Sequence, residues 1–119
     1  MNMNRNLKSL VEGLDDKKLS GADLQGADLK GADLRYAKLN KADLFSADLH
    51  DARLAGAELI RADLTSSDLW KADLRYAQCS EVNFREATFW KADFTDADLS
   101  NAENLDKAKL PKGYRLVKE

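Results

Sequence analysis

The amino-acid sequence predicts an all-β solenoid in which the chain turns a corner every five residues. A large apolar residue recurs at every fifth position from Leu19 to Leu99, which gives (99 − 19)/5 + 1 = 17 units, and Cys79 alone among them is neither Leu nor Phe. From Ala22 to Ala97, the residue two positions before the central residue is alanine except at Ser67 and Val82. Whole segments also recur 20 residues apart, as in WKAD at 70–73 and at 90–93.

A period of five suits neither regular element of secondary structure. Five residues of α-helix advance by about 500°, so the leucines would spiral around the helix axis. In a continuous strand an odd step would place successive leucines on opposite faces. A corner of about 90° in every unit instead directs all central residues to one axis. Four corners make a coil of 20 residues, and the recurrence of LRYA at 34–37 and 74–77 is a shift of 40 that fits four corners better than three.

The corners themselves carry a glycine signal in some units. Gly21, Gly26, Gly31 and Gly56 each stand two residues after a central leucine, at the third position of a four-residue turn. That position requires positive φ in a type II turn, which favours glycine. The sequence therefore predicts type II turns at these glycines. Elsewhere this position holds residues such as Tyr36, for which positive φ is costly, so we predict another turn type at most of the other corners.

The units GADLQ, GADLK, KADLF, RADLT, KADLR and KADFT resemble the pentapeptide-repeat family, whose units read roughly A-D/N-L-x-x. The resemblance covers about residues 17–101. It implies a right-handed quadrilateral parallel β-helix of four to five coils, with short β-bridges on each face. The coils should stack about 4.8 Å apart.

Three segments follow from this pattern: residues 1–16 as an N-terminal cap and lead-in, 17–103 as the β-helix, and 104–119 as a C-terminal cap or dimerisation tail. The tail carries a break in register and the apolar residues Tyr114, Leu116 and Val117. It is expected to fold over the last coil or to meet a second subunit. In some members of the family the C-terminal end forms the dimer interface, so the resemblance makes a homodimer plausible.

The N-terminal segment predicts a short amphipathic helix over residues 5–13 that lies on the first coil, because an open solenoid end exposes apolar side chains. Asn4 or Asn6 is expected to cap this helix and Gly13 to end it. The predicted apolar face follows helical spacing and consists of Leu7, Leu10, Val11 and Leu14.

One coil of the predicted core differs from the rest. Cys79, Phe84, Phe89 and Phe94 occupy its four central positions. Three large rings beside one small thiol indicate compensation of volume in a close-packed core. We therefore interpret Cys79 as a structural residue.

Composition excludes several classes of function. The formal net charge of −2 shows no basic excess, so direct binding of nucleic acid is not expected. The N-terminus shows no apolar signal segment, and no apolar run is long enough to cross a membrane, which predicts a soluble cytoplasmic protein without membrane contact. His50 is the one histidine, and no phosphate-binding loop or His/Cys cluster at metal spacing is present. We predict no enzymatic activity, no cofactor and no metal site.

Stacked acidic columns are one candidate for function. A shift of 20 residues places Asp23, Asp43 and Asp63 on one face and Asp28, Asp48 and Asp68 on the next. Some members of the family inhibit DNA gyrase by imitating duplex DNA with an acidic rod, so the resemblance offers a DNA-mimicking topoisomerase modulator as an alternative function. Residues 17–101 contain 15 acids and 12 bases, however, a net charge of 12 − 15 = −3. An aspartate before each central residue is also the consensus of the repeat.

An aromatic column is the other candidate. Trp70 and Trp90 share one outward position in successive coils, each is followed by a lysine, and His50 stands one coil earlier. Exposed tryptophans beside lysines are typical of protein interaction surfaces. The alternative is an aromatic ladder that shields the backbone. We predict a non-enzymatic scaffold that contacts an unidentified protein partner through Trp70, Trp90, Lys71, Lys91 and His50.

Overall fold

A computed structural model of the chain describes residues 5–14, 17–105 and 108. The regular elements are strand β1 (Arg5–Asn6), helix α1 (Lys8–Glu12) and strand β2 (Ala27–Asp28). Most of the remaining described chain alternates between tight turns and single parallel bridges, one of each in every five residues. The fold is therefore built from corners rather than from long strands.

The bridges pair each residue with the residue 20 positions later, which confirms the coil length predicted from the repeated segments. They form four ladders, one on each face of the coil: Lys18–Lys38–Glu58–Gln78–Asp98, Asp23–Asp43–Asp63–Asn83–Glu103, Asp28–Asp48–Asp68–Thr88 and Asp33–Arg53–Asp73–Asp93.

The central residues fill the axis of the coils. From Leu29 to Phe84 each of them is at most 1% exposed, and most of the alanines two positions earlier are also buried. Ser67 replaces alanine at one such buried position, where its Oγ donates a hydrogen bond of 2.7 Å to the carbonyl of Leu64. The predicted apolar axis is thus confirmed, and its one polar substitution is satisfied.

Backbone hydrogen bonds join successive coils at three points of a typical unit. One is donated by the residue before the central residue to the carbonyl 21 positions earlier, as from Asp63 to Ala42 at 3.0 Å. The N–H of each central residue from Leu19 to Phe84 donates to the carbonyl 19 residues later, as from Leu64 to Asn83 at 2.9 Å. The third residue of the turn does the same, as from Lys41 to Ile60 at 2.8 Å. Each turn is closed by a further bond between its fourth and first residues.

The turns differ from the sequence-based expectation. The glycine corners have positive φ, as predicted, but the non-glycine corners described from Tyr36 to Asn101 also do, at 56° to 64°. The prediction of another turn type there is wrong. The reason lies between the coils: the N–H of Tyr36 must reach the carbonyl of Ala55, which it does at 3.0 Å. A left-handed residue costs about 1–2 kcal/mol, and a turn of another type would break the stacking bond at that corner.

The N-terminal segment combines a strand with a helix. Strand β1 pairs in parallel with β2, so it extends one of the four ladders by one more rung. Helix α1 begins at Lys8 rather than at residue 5, its N-cap is Leu7, and no side chain caps it. Capping by Asn6 is therefore wrong, and Asn4 lies outside the described residues. Gly13 is the C-cap, as predicted, with φ of −86°.

The predicted apolar face of the helix is buried in part. Val11 is 1% exposed and joins the core, and Leu7 packs against that core. Leu10 and Leu14 are 62% and 38% exposed, so their predicted burial is wrong. A helix of five residues spans fewer than two turns, which leaves room for only a narrow buried face.

The C-terminal coil contains the predicted aromatic cluster. Phe84, Phe89 and Phe94 meet edge to face, with ring centroids 5.5 to 6.1 Å apart. Phe89 and Phe94 are only partly buried, unlike the central residues of earlier coils. Burial raises the pKa of the Cys79 thiol to about 12, with a smaller contribution from the charge of Asp98. This supports a structural role for Cys79.

The predicted tail, residues 104–119, lies mostly outside the described residues, including Tyr114, Leu116 and Val117. Within the described parts of the chain, no helix is long and apolar enough to cross a membrane.

Candidate functional site

Five side chains form a column on one corner of the solenoid, which we call the aromatic ladder: His50, Trp70, Trp90, Lys71 and Lys91. The three rings occupy the position directly after a central residue in three successive coils. The structure thus brings together the side chains that the sequence selected as a contact surface.

Two aspartates of the ladder next to this corner hold the backbone of His50 and Trp70. The N–H of His50 donates to Asp48 Oδ1 at 3.0 Å, and the N–H of Trp70 donates to Asp68 Oδ1 at 2.9 Å. A side-chain oxygen that accepts the N–H two residues later stabilises a turn locally. The aromatic positions are therefore set by the repeat and not by the rings themselves.

The rings stack along the solenoid axis. The ring centroids of His50 and Trp70 lie 4.6 Å apart with an interplanar angle of 24°, and those of Trp70 and Trp90 lie 5.5 Å apart at 14°. Both separations are within the range in which aromatic pairs attract. The column is continuous over three coils.

Each tryptophan also carries a lysine over its ring. Lys71 Nζ lies 5.2 Å from the ring centroid of Trp70, and Lys91 Nζ lies 4.7 Å from that of Trp90. Both distances allow a cation–π interaction. The two ammonium groups lie close to the indoles, so charge and apolar surface adjoin on this corner.

The indoles are half-buried, and the buried part includes their polar atoms. The Nε1 atoms of Trp70 and Trp90 are inaccessible to solvent and have no hydrogen-bond partner among the described residues. Nε1 is the one polar atom of an indole. The exposed part of each tryptophan side chain therefore consists of carbon.

The acidic columns exist as predicted, since Asp23, Asp43 and Asp63 are bridged in one ladder and Asp28, Asp48 and Asp68 in another. Their carboxylates have a local function. In most units an Asp or Asn Oδ1 accepts the backbone N–H two residues later: Asp23, Asp28, Asp33, Asp43, Asp48, Asp63, Asp68, Asp73, Asn83, Asp93 and Asp98. This supports the interpretation that the aspartates stabilise the turns.

Two aspartates of another ladder are paired with arginine. Arg35 donates two hydrogen bonds of 2.8 Å to Asp33, and Arg75 donates two of 2.9 Å to Asp73. These side-chain hydrogen bonds hold the pKa of both carboxyl groups below the usual range. Asp33 also lies 3.7 Å from Lys17 Nζ.

Two features of the surface were not predicted as candidates. Tyr36 and Tyr76 are exposed aromatic residues, at 74% and 61%, and they occupy the same corner two coils apart with Gly56 between them. The signal was present, because the repeat of LRYA at a shift of 40 already placed the two tyrosines in one column.

The second feature is a group of two aspartates and one histidine that could hold a metal ion. Asp48, His50 and Asp68 each direct one potential ligand atom into a common space, and these atoms lie within 4.8 Å of one another. Its members are 2 and 18 residues apart in the sequence, so the group cannot be recognised as a short sequence motif. The 20-residue register could have found it, because it places Asp68 directly beside Asp48.

A cleft of about 490 Å³ opens beside the N-terminal segment, and its lining consists of Leu14, Lys17, Arg35, Tyr36 and Lys38. Its three cations already pair with carboxylates. Lys17 and Arg35 contact Asp33, and Lys38 Nζ lies 3.5 Å from Glu58. We therefore assign no chemistry to this cleft.

Comparison with known proteins agrees with the repeat pattern. The family model described as "Pentapeptide repeats" matches residues 18–51, 42–75 and 77–112 of this chain, with eight copies. No curated protein sequence matches the chain significantly.

Solved structures of cyanobacterial proteins are similar in fold. HetL, a pentapeptide-repeat protein involved in heterocyst differentiation regulation in Nostoc, is 39% identical with a TM-score of 0.72 over 78% of this chain and 42% of HetL. Rfr23 from Cyanothece is 27% identical with a TM-score of 0.74 over 76% of this chain and 62% of Rfr23. The pentapeptide-repeat protein alr5209 from Nostoc is 30% identical with a TM-score of 0.57 over 91% and 86% of the two chains.

This chain thus spans less than two thirds of HetL and of Rfr23. Four ladders with a 20-residue register, a leucine-filled axis and a family match over most of the sequence lead to one conclusion. The chain belongs to the pentapeptide-repeat family, whose members form right-handed quadrilateral β-helices and are generally structural or interaction proteins.

Proposed function

We propose that this protein is a non-enzymatic scaffold that binds another protein through the aromatic ladder. The observation that carries the proposal is the continuous stack of His50, Trp70 and Trp90, with a lysine ammonium beside each indole. Tryptophan is enriched among residues that dominate the energy of protein interfaces. The ladder is held by backbone bonds between coils, so little conformational entropy is lost when a partner binds.

The ladder also indicates the chemistry of the partner. Its exposed indole surface is carbon, and Lys71 and Lys91 supply positive charge at the edge. A partner surface that joins an apolar side chain to nearby carboxylates would match both features. HetL is involved in the regulation of differentiation, and this similarity supports a binding role rather than a chemical one.

The test is affinity capture from a lysate of the source organism with wild-type protein and the variant Trp70→Ala/Trp90→Ala. We expect a partner that wild type captures and the double variant loses. The matched control is Tyr36→Ala/Tyr76→Ala, which likewise removes two aromatic rings, but from another corner. Those two rings are exposed on the surface. Equal capture by wild type and the tryptophan variant, with both folded by circular dichroism, would contradict the proposal.

A second part of the proposal is that the C-terminal end pairs with another copy of this chain. Phe94 and Leu99 are only partly buried among the described residues, and this apolar surface supports the proposal. Light scattering after size-exclusion chromatography should give twice the mass of the chain, 13.3 kDa. A monomeric mass at high protein concentration would contradict it.

The alternative function, imitation of DNA by the acidic columns, has no specific observation in its favour. The carboxylates bond to their own turns, and Asp33 and Asp73 are neutralised by Arg35 and Arg75. A DNA-mimicking inhibitor should suppress supercoiling by gyrase at micromolar protein, and its effect should weaken as salt rises. Unchanged supercoiling would exclude it.

A further inference from the structure

Three side chains on one corner of the solenoid converge although they are not adjacent in sequence. One ligand atom each of Asp48, His50 and Asp68 lies within 4.8 Å of the other two. Bonds of about 2.0–2.2 Å to a transition-metal ion place ligand atoms roughly 3.0–3.4 Å apart. Rotation of the two aspartate side chains about χ1 and χ2 can bring their oxygens towards His50, so the backbone can keep its register.

The two carboxylates can each offer an oxygen. Asp48 and Asp68 are adjacent rungs of one ladder. Each uses Oδ1 to accept a backbone N–H, and Thr88 Oγ1 also donates to Asp68 Oδ1 at 3.4 Å. No hydrogen bond from the described residues reaches either Oδ2. Two like charges on neighbouring rungs repel each other, and a cation between them would remove this repulsion.

The imidazole of His50 distinguishes this cluster from the other stacked aspartates. The ring of His50 stacks on Trp70 with centroids 4.6 Å apart, which fixes its plane. His50 Nε2 lies 3.3 Å from Asp51 Oδ2. In the tautomer whose proton is on Nε2, facing Asp51, the lone pair of the ring is on Nδ1. A metal-bound histidine commonly has its other nitrogen held by a carboxylate in this way.

The adjacent ladder has stacked aspartates but no histidine beside them. Asp43 and Asp63 stack there as Asp48 and Asp68 do, but Phe45 occupies the position that His50 has at the aromatic corner. The carboxylate pair of that ladder therefore has no imidazole beside it. The chain supplies its own matched control.

We propose that Asp48, His50 and Asp68 bind one divalent transition-metal ion, with Zn²⁺ as the representative, and that Asp51 positions the histidine. A ligand set with an imidazole favours Zn²⁺, Ni²⁺ or Cu²⁺ over Mg²⁺ and Ca²⁺, which prefer oxygen ligands. All three side chains are half-buried, so water completes the coordination. The site shares His50 with the partner surface proposed above, but its binding of a metal ion is measured without a protein partner.

Isothermal titration of the full chain with ZnCl₂ is the first measurement. We expect saturable binding of one ion per chain, and weaker binding of Mg²⁺ and Ca²⁺. His50→Phe keeps a ring for stacking on Trp70 and should abolish the binding. Asp51→Asn should weaken it about tenfold, as expected for a residue that orients a ligand. Asp63→Asn, in the control ladder, should leave it unchanged.

Tryptophan fluorescence gives a second and independent readout. Cu²⁺ or Ni²⁺ bound at His50 lies next to the stacked indole of Trp70 and should quench its emission. The quenching should disappear in His50→Phe and in Trp70→Phe. Phe45→His would place an imidazole beside Asp43 and Asp63, but Asp43 Oδ2 already accepts from Gln25 Nε2 and Ser46 replaces Asp51, so binding at this second place should be weaker than at His50.

Two results would overturn the proposal. The first is no saturable heat with Zn²⁺ up to millimolar concentration. The second is equal Zn²⁺ affinity in wild type and in His50→Phe, with native circular dichroism, because binding would then belong to the acidic surface in general.

Discussion

The middle of the solenoid and its C-terminal coil are built from the same repeat but differ in burial. Leu64, in the middle, is fully buried. Its N–H donates a hydrogen bond to the carbonyl of Asn83 in the next coil. Phe94 and Leu99, at equivalent positions near the C-terminal end, are only partly buried.

This difference shows that a central residue is buried by the coils on both sides of it and not by its own unit. The stability of a repeat array is approximately a sum of unit and nearest-neighbour terms. A unit whose central side chain is only partly buried, as at Phe94 and Leu99, is expected to contribute less. Changes at equivalent positions should therefore have unequal effects.

The largest effect should come from changes on the axis. Leu64→Arg places a charge where the side chain is 0% exposed, and we expect that it prevents folding. Leu64→Ala should cost about 3–5 kcal/mol of unfolding free energy, while Leu99→Ala should cost less than half of this, because part of its surface is already exposed. Urea denaturation followed by circular dichroism measures both. Equal costs would contradict the comparison, as would a soluble, native Leu64→Arg variant.

Corner glycines should have a smaller effect that depends on the neighbouring coil. Gly26→Ala has open space around the new Cβ and should cost about 1 kcal/mol, from the positive φ of 65° alone. In Gly56→Ala the Cβ would lie 2.5 Å from ring atoms of Tyr36, so the ring must move and the cost should be greater.

The control for this prediction is the same substitution in a Tyr36→Ala background. Without the ring, Gly56→Ala should cost about as much as Gly26→Ala. If the excess persists without Tyr36, the contact between coils is not its cause.

An ion pair of the middle coils should contribute less still, and its contribution should depend on pH. Arg75→Gln removes the two hydrogen bonds to Asp73 and should destabilise the fold only slightly at neutral pH, since the pair is partly exposed. Arg75 lowers the pKa of Asp73. The stabilisation is therefore present above the unfolded-state pKa of about 3.9 and is lost as pH falls through the lower folded-state pKa.

Denaturation of wild type and Arg75→Gln at a series of pH values tests this directly. The two stabilities should converge as the solution becomes more acidic. A difference that stays constant down to strongly acidic pH would show that the arginine acts through packing instead.

The ionisation of Cys79 should have the smallest effect on the stability of the fold at neutral pH. Its thiol is fully buried, and burial raises its pKa from 9.0 to about 12. Below pH 9 the thiol is protonated in both the folded and the unfolded state, so it does not change the stability of the fold. Between pH 9 and 12 the thiol ionises in the unfolded state first, which progressively destabilises the fold. Iodoacetamide should accordingly label Cys79 in urea but not in the native protein. Rapid labelling of the native protein at neutral pH would show that the coil opens.

Much of the fold follows from the sequence, because its signal is repeated. The five-residue period and the shift of 20 predicted the axis, the four faces and the stacking of Trp70 on Trp90. The turns were predicted less well. From a single corner such as Lys41, positive φ looks unfavourable, and only the bond to the next coil explains why it occurs. The N-terminal helix was also predicted too long, because helical spacing does not show that its first residues pair as a strand.

The sequence by itself determined which residues face the axis and which share a column, since both depend on counting. The tertiary structure decided how much of each side chain is covered, which corners adopt left-handed backbone, and that Asp48, His50 and Asp68 meet. These properties depend on contacts between residues about 20 positions apart. A local pattern cannot fix them, because the neighbouring coil supplies the other half of every such contact.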